Sequence, residues 1–272
     1  MTHRREQAMA TTILGVFSII ALLPIVGIVL TALQDPQGLE GYGSFDGLHF
    51  DNFRRAWEDG NFGTYLRSST IVVVAVVSVA TVLSIMAGYA FAVMRFRGAE
   101  VLFYILLIGL MVPFETIIVP LYYDFIDLGL YDTYWALILP QVGVSVAFGS
   151  FWMRAFFRTV PRSVIEAARL DGASSWLTLW RVLLPLARPA VLTMVVLLFM
   201  WTWNEFLLAL VMVDTEDLRT APLGLGFFVG RNTSDLTLLS AGAVIVALPV
   251  VIVYAFLQRH FIRGMVSGAV KG

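Results

Sequence analysis

No cysteine occurs anywhere in this 272-residue chain, which excludes disulfides, iron–sulfur clusters and thiolate-held metals and leaves redox compartment unread. Charge is scarce too: Asp, Glu, Lys and Arg make up 14% of residues and the net charge is -1. No nucleic-acid partner is expected, because gripping a phosphate backbone takes a basic face that displaces counterions. The three histidines, His3, His49 and His260, lie far apart and never at the i, i+4 spacing that sets two imidazoles on one helix face, so no metal site is expected. Neither a G-x-x-x-x-G-K-[ST] loop nor a G-x-S-x-G elbow is present. The chain therefore offers no catalytic residues and no cofactor site of its own, and any energy source must come from outside it.

What it has in excess is apolar length. Hydrophobic residues make up 59% of the sequence and the mean hydropathy is +0.84, too apolar for a surface that meets water on all sides. A helix crosses the hydrocarbon core with about 20 mostly apolar residues. Six such runs are present, near Thr11 to Leu33, Ser69 to Met94, Val101 to Tyr123, Tyr134 to Phe157, Pro189 to Val213 and Leu238 to Leu257. The first follows Arg4 and Arg5 as a signal peptide would, but it is too long for an h-region and no A-x-A site follows, so it reads as a retained anchor. The expected fold is all-α and polytopic, a single membrane domain over residues 1–272 with about six transmembrane helices.

Lys and Arg set the orientation. With the N-terminus inside, five of the 18 fall outside, Arg54, Arg55, Arg67, Arg219 and Arg231, and the other 13 inside. The outer loops are acidic, with Asp35, Glu40, Asp46, Asp127, Asp132, Asp214 and Glu216 among their residues. Both termini are thus expected in the cytoplasm. Tyr122, Tyr123, Tyr131, Tyr134 and Trp135 gather at the outer ends of spans three and four, where amphipathic rings favour the headgroup level. There is no internal repeat and no linker; the two long exposed stretches are an outer loop, 34–67, and an inner loop, 158–188.

The inner loop reads as two short helices. Ser163 with Glu166 three residues on forms a capping box, Gly172 suits the left-handed position that ends a helix, and Ser174 or Ser175 caps the next. Pro185 is expected to stop that second helix and Pro189 to start span five. A capping box alone would account for Glu166 without any partner. Against that stands a surplus of apolar residues, Val164, Ile165, Leu170, Trp176, Leu177, Leu179 and Trp180, in a segment too short to bury them, so that membrane or a partner must cover them.

The run Glu166-Ala167-Ala168, three residues, Gly172, nine residues, then Val182-Leu183-Leu184-Pro185 resembles the EAA loop of permease subunits of binding-protein-dependent ABC importers. The likeness extends over nearly the whole chain and is to the carbohydrate, MalG-like branch. Leu128-Gly-Leu130 leading to Tyr134-Trp-Ala-Leu-Ile-Leu-Pro140, the segment Trp203-Asn204-Glu205-Phe206, and the tail Gly264 to Gly272 add to it. The resemblance implies the type I ABC importer permease fold, a bacterial inner-membrane location, and a coupling helix docked in a cleft of a cytoplasmic ATPase subunit. Carried over, Glu166, Ala167, Ala168 and Gly172 make that contact, with Asp171 nearby and the tail from Ser267 also reaching the ATPases. ATP and Mg would sit on that partner. The implied assembly has a second homologous permease subunit, two ATPase subunits and an extracytoplasmic solute-binding protein, with a sugar as substrate.

Ionisable groups at membrane depth are costly and face a cavity or a partner helix. Glu115 and Glu205 are the two here. Glu115 lies between Pro113 and Pro120, which remove backbone bonds and kink a helix. Trp201, Trp203, Asn204 and Glu205 combine flat rings with hydroxyl-binding groups, the chemistry of a sugar path, and at i, i+4 Trp201 and Glu205 share a helix face. The alternative is an interhelical hydrogen bond that holds the bundle. Gly88, Pro140 and Pro249 read as packing or kink residues. An ion-coupled secondary transporter or channel is the competing function; it would need paired intramembrane charges or matched broken repeats, and a membrane enzyme would need a convergent catalytic set.

Overall fold

The computed structural model describes residues 2–35, 47–229 and 235–269. Glu40, Asp46, Arg231 and the tail residues 270–272 lie outside them. The helices are α1 (Thr2–Ala32), α2 (Asp51–Asp59), α3 (Phe62–Val93), α4 (Ala99–Met111), α5 (Phe114–Asp127), α6 (Tyr134–Phe157), α7 (Arg162–Leu170), α8 (Ser175–Leu177), α9 (Leu184–Trp203), α10 (Leu207–Met212), α11 (Ala221–Gly224) and α12 (Leu236–Ala269). A π-helical stretch, Thr178–Leu183, joins α8 to α9. Among the described residues five helical segments are long and apolar enough to cross a bilayer: Met9–Ala32, Phe62–Val93, Tyr134–Phe157, Ser175–Trp203 and Leu236–Gln258.

The third expected span, Val101 to Tyr123, differs from its reading as one kinked helix. α4 and α5 meet at an angle of 97°. Pro113 has no N–H to continue the ladder and drives the residue before it out of the helical region; Val112 is extended, at φ -76° and ψ 121°.

The chain divides into two compact units. In the first, Met1–Gly63 with Gly224–Pro249, α1 is exposed from Met9 to Leu30. Its C-terminal end is fastened by Asn52, whose amide donates to the carbonyls of Ala32 at 3.0 Å and Gln34 at 2.9 Å. Phe62 and Phe228 stack with ring centroids 6.2 Å apart. Gly60 makes that possible, since a Cβ there would lie 2.8 Å from each ring.

The second unit, Thr64–Leu223 with Val250–Gly272, holds two buried clusters, to both of which α3 contributes. Val72 and Val76 pack with Ile118, Phe125, Leu137, Leu208 and Met212. Ala80, Ile85 and Tyr89 pack with Met153, Phe157, Leu179, Leu183 and Met194. Lipid tails are as apolar as the side chains, so helices in a membrane associate by close packing instead of escape from water. Small residues permit it here: a Cβ on Gly88 would meet Met153, and one on Gly149 would overlap Ser84, which places Gly88 as a packing residue.

Candidate functional site

The connection from α6 to α9 positions the first candidate site. α7 begins two residues earlier than a capping box at Ser163 requires. Pro161 is its N-cap, with no side-chain cap, and Ser163 lies inside the helix, so the expected Ser163–Glu166 box does not form. Glu166 is exposed and makes no hydrogen bond or ion pair among the described residues.

The end of α7 matches expectation. Gly172 is left-handed, at φ +79°; its N–H reaches the Arg169 carbonyl at 3.0 Å and that of Ala173 reaches Ala168 at 2.9 Å. This pair of bonds satisfies carbonyls that a plain helix end leaves orphaned. The Ser174 hydroxyl oxygen then accepts from the Leu177 N–H at 3.3 Å, capping α8.

Pro185 does not stop the chain's helical course, in contrast to the sequence reading. Wide π turns over Thr178–Leu183 lead into α9, which starts at Leu184 and carries Pro185 in its first turn and Pro189 inside. Proline lacks the N–H that a helix needs and crowds the carbonyl a turn before it. It is tolerated in a first turn, where N–H groups are unpaired anyway, and the π stretch resets the register just ahead of it.

α7 has two dissimilar faces. Ile165 and Ala168, at i, i+3, are buried, and Ile165 belongs to the cluster of Tyr89, Met153, Phe157, Leu179 and Leu183. Glu166, Ala167, Asp171 and Gly172 point away and are exposed, as is Leu170 at 89% of its surface, with Trp176 beyond them at 60%. Of the residues grouped by the motif, the structure thus turns Ala168 inward and the other four outward. The apolar surplus divides the same way: Leu179 joins the core, whereas Leu170, Trp176 and Leu177 remain uncovered.

The second candidate site is built at two helix breaks. α9 ends at Trp203, and the Asn204 amide donates to the Met200 carbonyl at 2.7 Å. The Glu205 carboxylate accepts from the Leu208 N–H, at 2.9 and 3.2 Å, and so caps α10. Trp201 and Glu205 do not align as i, i+4 neighbours, because the helix that would align them stops between them. Trp201 is exposed, edge-on to Phe148 at 4.7 Å, while Trp203 is buried and stacks on Phe199 at 5.7 Å. Glu115, exposed in the first turn of α5 just past the 97° bend, lies within Coulombic reach of Glu205. Each break therefore carries a glutamate at the start of a new helix, where the backbone dipole favours negative charge.

A third feature was not singled out from sequence. Asp132, at φ +55°, accepts hydrogen bonds from the N–H of Asp214 and of Thr215, both at 2.9 Å, and from the Thr215 hydroxyl at 2.5 Å. These bonds, the Thr215 hydroxyl foremost, hold the Asp132 carboxyl below its ordinary range. The Tyr131 hydroxyl donates to Asp214 at 2.7 Å, which pushes its own ionisation well above the usual tyrosine value. The ring of Tyr122 stands edge-on to Tyr131 at 5.1 Å, in keeping with the aromatic cluster expected at this end of spans three and four. The clamp joins residues more than 80 positions apart, so its only local signal is an aspartate following the Gly129 turn.

Comparison with known proteins gives this arrangement a context. Residues 80–267 match the family described as binding-protein-dependent transport system inner membrane component. The diacetylchitobiose uptake system permease protein NgcG of Streptomyces coelicolor is 32% identical over 270 residues, 98% of this chain and 89% of that one. The arabinooligosaccharides transport system permease protein AraQ of Halalkalibacterium halodurans is 34% identical over 259 residues, 93% of this chain and 92% of its own. A chain in the crystal structure of a bacterial ABC transporter involved in the import of the acidic polysaccharide alginate superposes with a TM-score of 0.82 at 25% identity, covering 96% of this chain and 98% of that one. Most of this chain, α7 and both helix breaks included, falls within the matched residues, and it belongs to the family of binding-protein-dependent transport system inner membrane components, multi-pass permease subunits of ABC transporters that are not themselves enzymes.

Proposed function

We propose that this chain is the permease subunit of an ATP-driven importer that carries a di- or oligosaccharide into the cytoplasm, worked through α7 by a separate ATPase. The observation that carries the reading is the division of α7. Its inner face, Ile165 and Ala168, is buried, and Ile165 is fixed in a core shared by α3, α6 and the π stretch. Its outer face holds an unpaired carboxylate, a small alanine, an exposed leucine and a left-handed glycine. Force applied to that face passes into the membrane helices without an intervening flexible loop. Glu166 and Asp171 offer charge to a basic or amide partner, and Ala167 and Gly172 permit close approach.

The saccharide class is supported by the relatives, one named for diacetylchitobiose, one for arabinooligosaccharides, and by the alginate importer. The substrate path runs past Trp201, Asn204, Glu205 and Glu115, where an exposed ring, an exposed amide and two carboxylates, that of Glu205 half-buried, meet broken helices. A second homologous permease subunit completes the path. Two ATPase subunits holding ATP and Mg bind on the α7 side, and a solute-binding protein delivers sugar on the opposite side. Both termini then lie in the cytoplasm, in the bacterial inner membrane.

The test is Glu166→Arg in the intact operon, read by copurification and by uptake of labelled saccharides. Loss of the ATPase and of uptake, with the membrane level of the chain unchanged, is the expected result. Undiminished assembly and uptake would refute the docking. Ion-driven uptake by the chain reconstituted alone would instead favour the secondary-transporter alternative.

A further inference from the structure

A cleft of 830 Å³ opens where α3 ends, α4 begins and α6 hands over to α7. Five arginines line it: Arg95, Arg154, Arg158, Arg162 and Arg169. The two acidic residues in the lining are Glu100 and Glu166, which leaves the cleft cationic. No carboxylate is within ion-pairing distance of any of the five among the described residues. Arg154 is held in place, its guanidinium 3.6 Å above the Phe103 ring and its Nε 3.4 Å from the Phe91 carbonyl, so one cation is pre-positioned before any ligand arrives. Phe91, Val93 and Phe157 supply an apolar wall beside the charges.

Like charges gathered in one concave site repel unless an anion joins them. Guanidinium groups match phosphate oxygens as a planar fork. The location specifies the anion further. Residues 91–95 and 154–158 are the ends of the α3 and α6 spans, so the cleft sits at the level where a bilayer changes from acyl chain to headgroup. Basic pockets between helices at this level suit lipid phosphates.

We propose that this cleft binds a phosphate-bearing anion, with an anionic phospholipid headgroup as its source and the acyl chains running along the apolar wall. Which leaflet it draws from rests on the orientation given under Proposed function; the binding itself does not. Occupancy would brace α7 against the ends of α3 and α6, since Arg162 and Arg169 of α7, Arg95 beyond α3 and Arg154 of α6 would share one ligand.

The full chain, purified in detergent with whatever partners copurify and stripped of lipid, is titrated with phosphatidylglycerol, with phosphatidylcholine, and with inorganic phosphate, and bound species are counted by native mass spectrometry. Phosphatidylglycerol is expected to be retained about tenfold better than phosphatidylcholine. Arg158→Gln with Arg162→Gln should lower that retention tenfold or more, at about fivefold per cation removed. Glu100→Gln should raise it, a gain that a misfolded variant could not produce. Phosphatidylglycerol retained against an excess of inorganic phosphate marks the lipid as source. Saturable phosphate binding lost in the double variant, without lipid preference, keeps the phosphate site and assigns it a soluble source. Equal retention of both lipids together with no arginine-dependent phosphate binding overturns the proposal. An unaltered chain that copurifies with no ATPase yet still selects phosphatidylglycerol would sink the coupling reading and leave this one standing.

Discussion

A Cβ added to Gly88 would lie 2.5 Å from the Cβ of Met153 and 2.9 Å from the backbone nitrogen of Arg154. α3 and α6 therefore touch backbone to backbone, and the second buried cluster is built around that contact. Gly88→Ala forces the helices apart and is expected to cost about 1–3 kcal/mol, read as a lower thermal midpoint of the detergent-solubilised protein. Gly109→Ala serves as the control: nothing lies within 4 Å of its added carbon, so its midpoint should hold or rise, alanine being the better helix former.

Glu205 caps α10, and two substitutions separate that role from sugar contact. Glu205→Ala removes the acceptor from the Leu208 N–H and should lower stability by about 0.5–2 kcal/mol. Glu205→Gln keeps an oxygen in the same place and should leave the thermal midpoint near that of the unaltered protein. If the carboxylate serves the substrate path, the Gln variant raises the KM for uptake at unchanged stability; an unchanged KM would confine Glu205 to capping.

Gly172 tests the turn that presents the outer face of α7. A side chain at φ +79° costs roughly 1–2 kcal/mol for most residues and less for asparagine. Gly172→Val should reduce ATPase copurification more than Gly172→Asn does. An equal effect would mean that side-chain volume, not backbone conformation, governs the contact.

The Asp132 clamp predicts a pH response on one side of the molecule. Its carboxyl is lowered on folding from an ordinary value of 3.8, so the native chain binds that proton less readily than the unfolded one. The clamp's contribution is complete above the unfolded value and is lost as pH falls through the native one. Hydrogen exchange at the amides of Asp214 and Thr215 should therefore accelerate, relative to neighbouring amides, as the pH drops below about 4. Asp132→Ala should produce the same opening at neutral pH, and unaltered protection in that variant would exclude the clamp.

Orientation can be tested because the chain has no cysteine of its own. Single cysteines at the exposed positions Ser174 and Asp217 should label with an impermeant reagent from the inside and the outside of the cell, respectively. Reversed labelling would invert the topology and place α7 on the wrong side for an ATPase.

The apolar runs were legible because a bilayer demands length and little else, and five of the six spans can be read directly from them. Gly172 and Ser174 were legible because left-handed backbone and helix starts favour particular residues. Features decided by tertiary fit were not. Ser163 looked like a cap until Pro161 started the helix early, and Pro185 looked like a stop until the π stretch absorbed it. Trp201 and Glu205 lost their shared face because the break after Trp203 has no strong breaker residue to announce it. The Gly149–Ser84 approach and the Asp132–Thr215 clamp join distant segments, and no local pattern encodes either. The motif around Glu166 was visible as a string, but its division into inward and outward residues needed the bundle against which Ile165 packs.

That packing of Ile165 limits how the protein can respond. On the coupling proposed above, a side chain wedged among residues from three other helical segments would leave no backlash between input and output. Displacement at one end must turn the bundle as a stiff body or fail to turn it at all. Such a linkage is intolerant of half-strokes, and a permease geared in this way would spend little time between its open orientations.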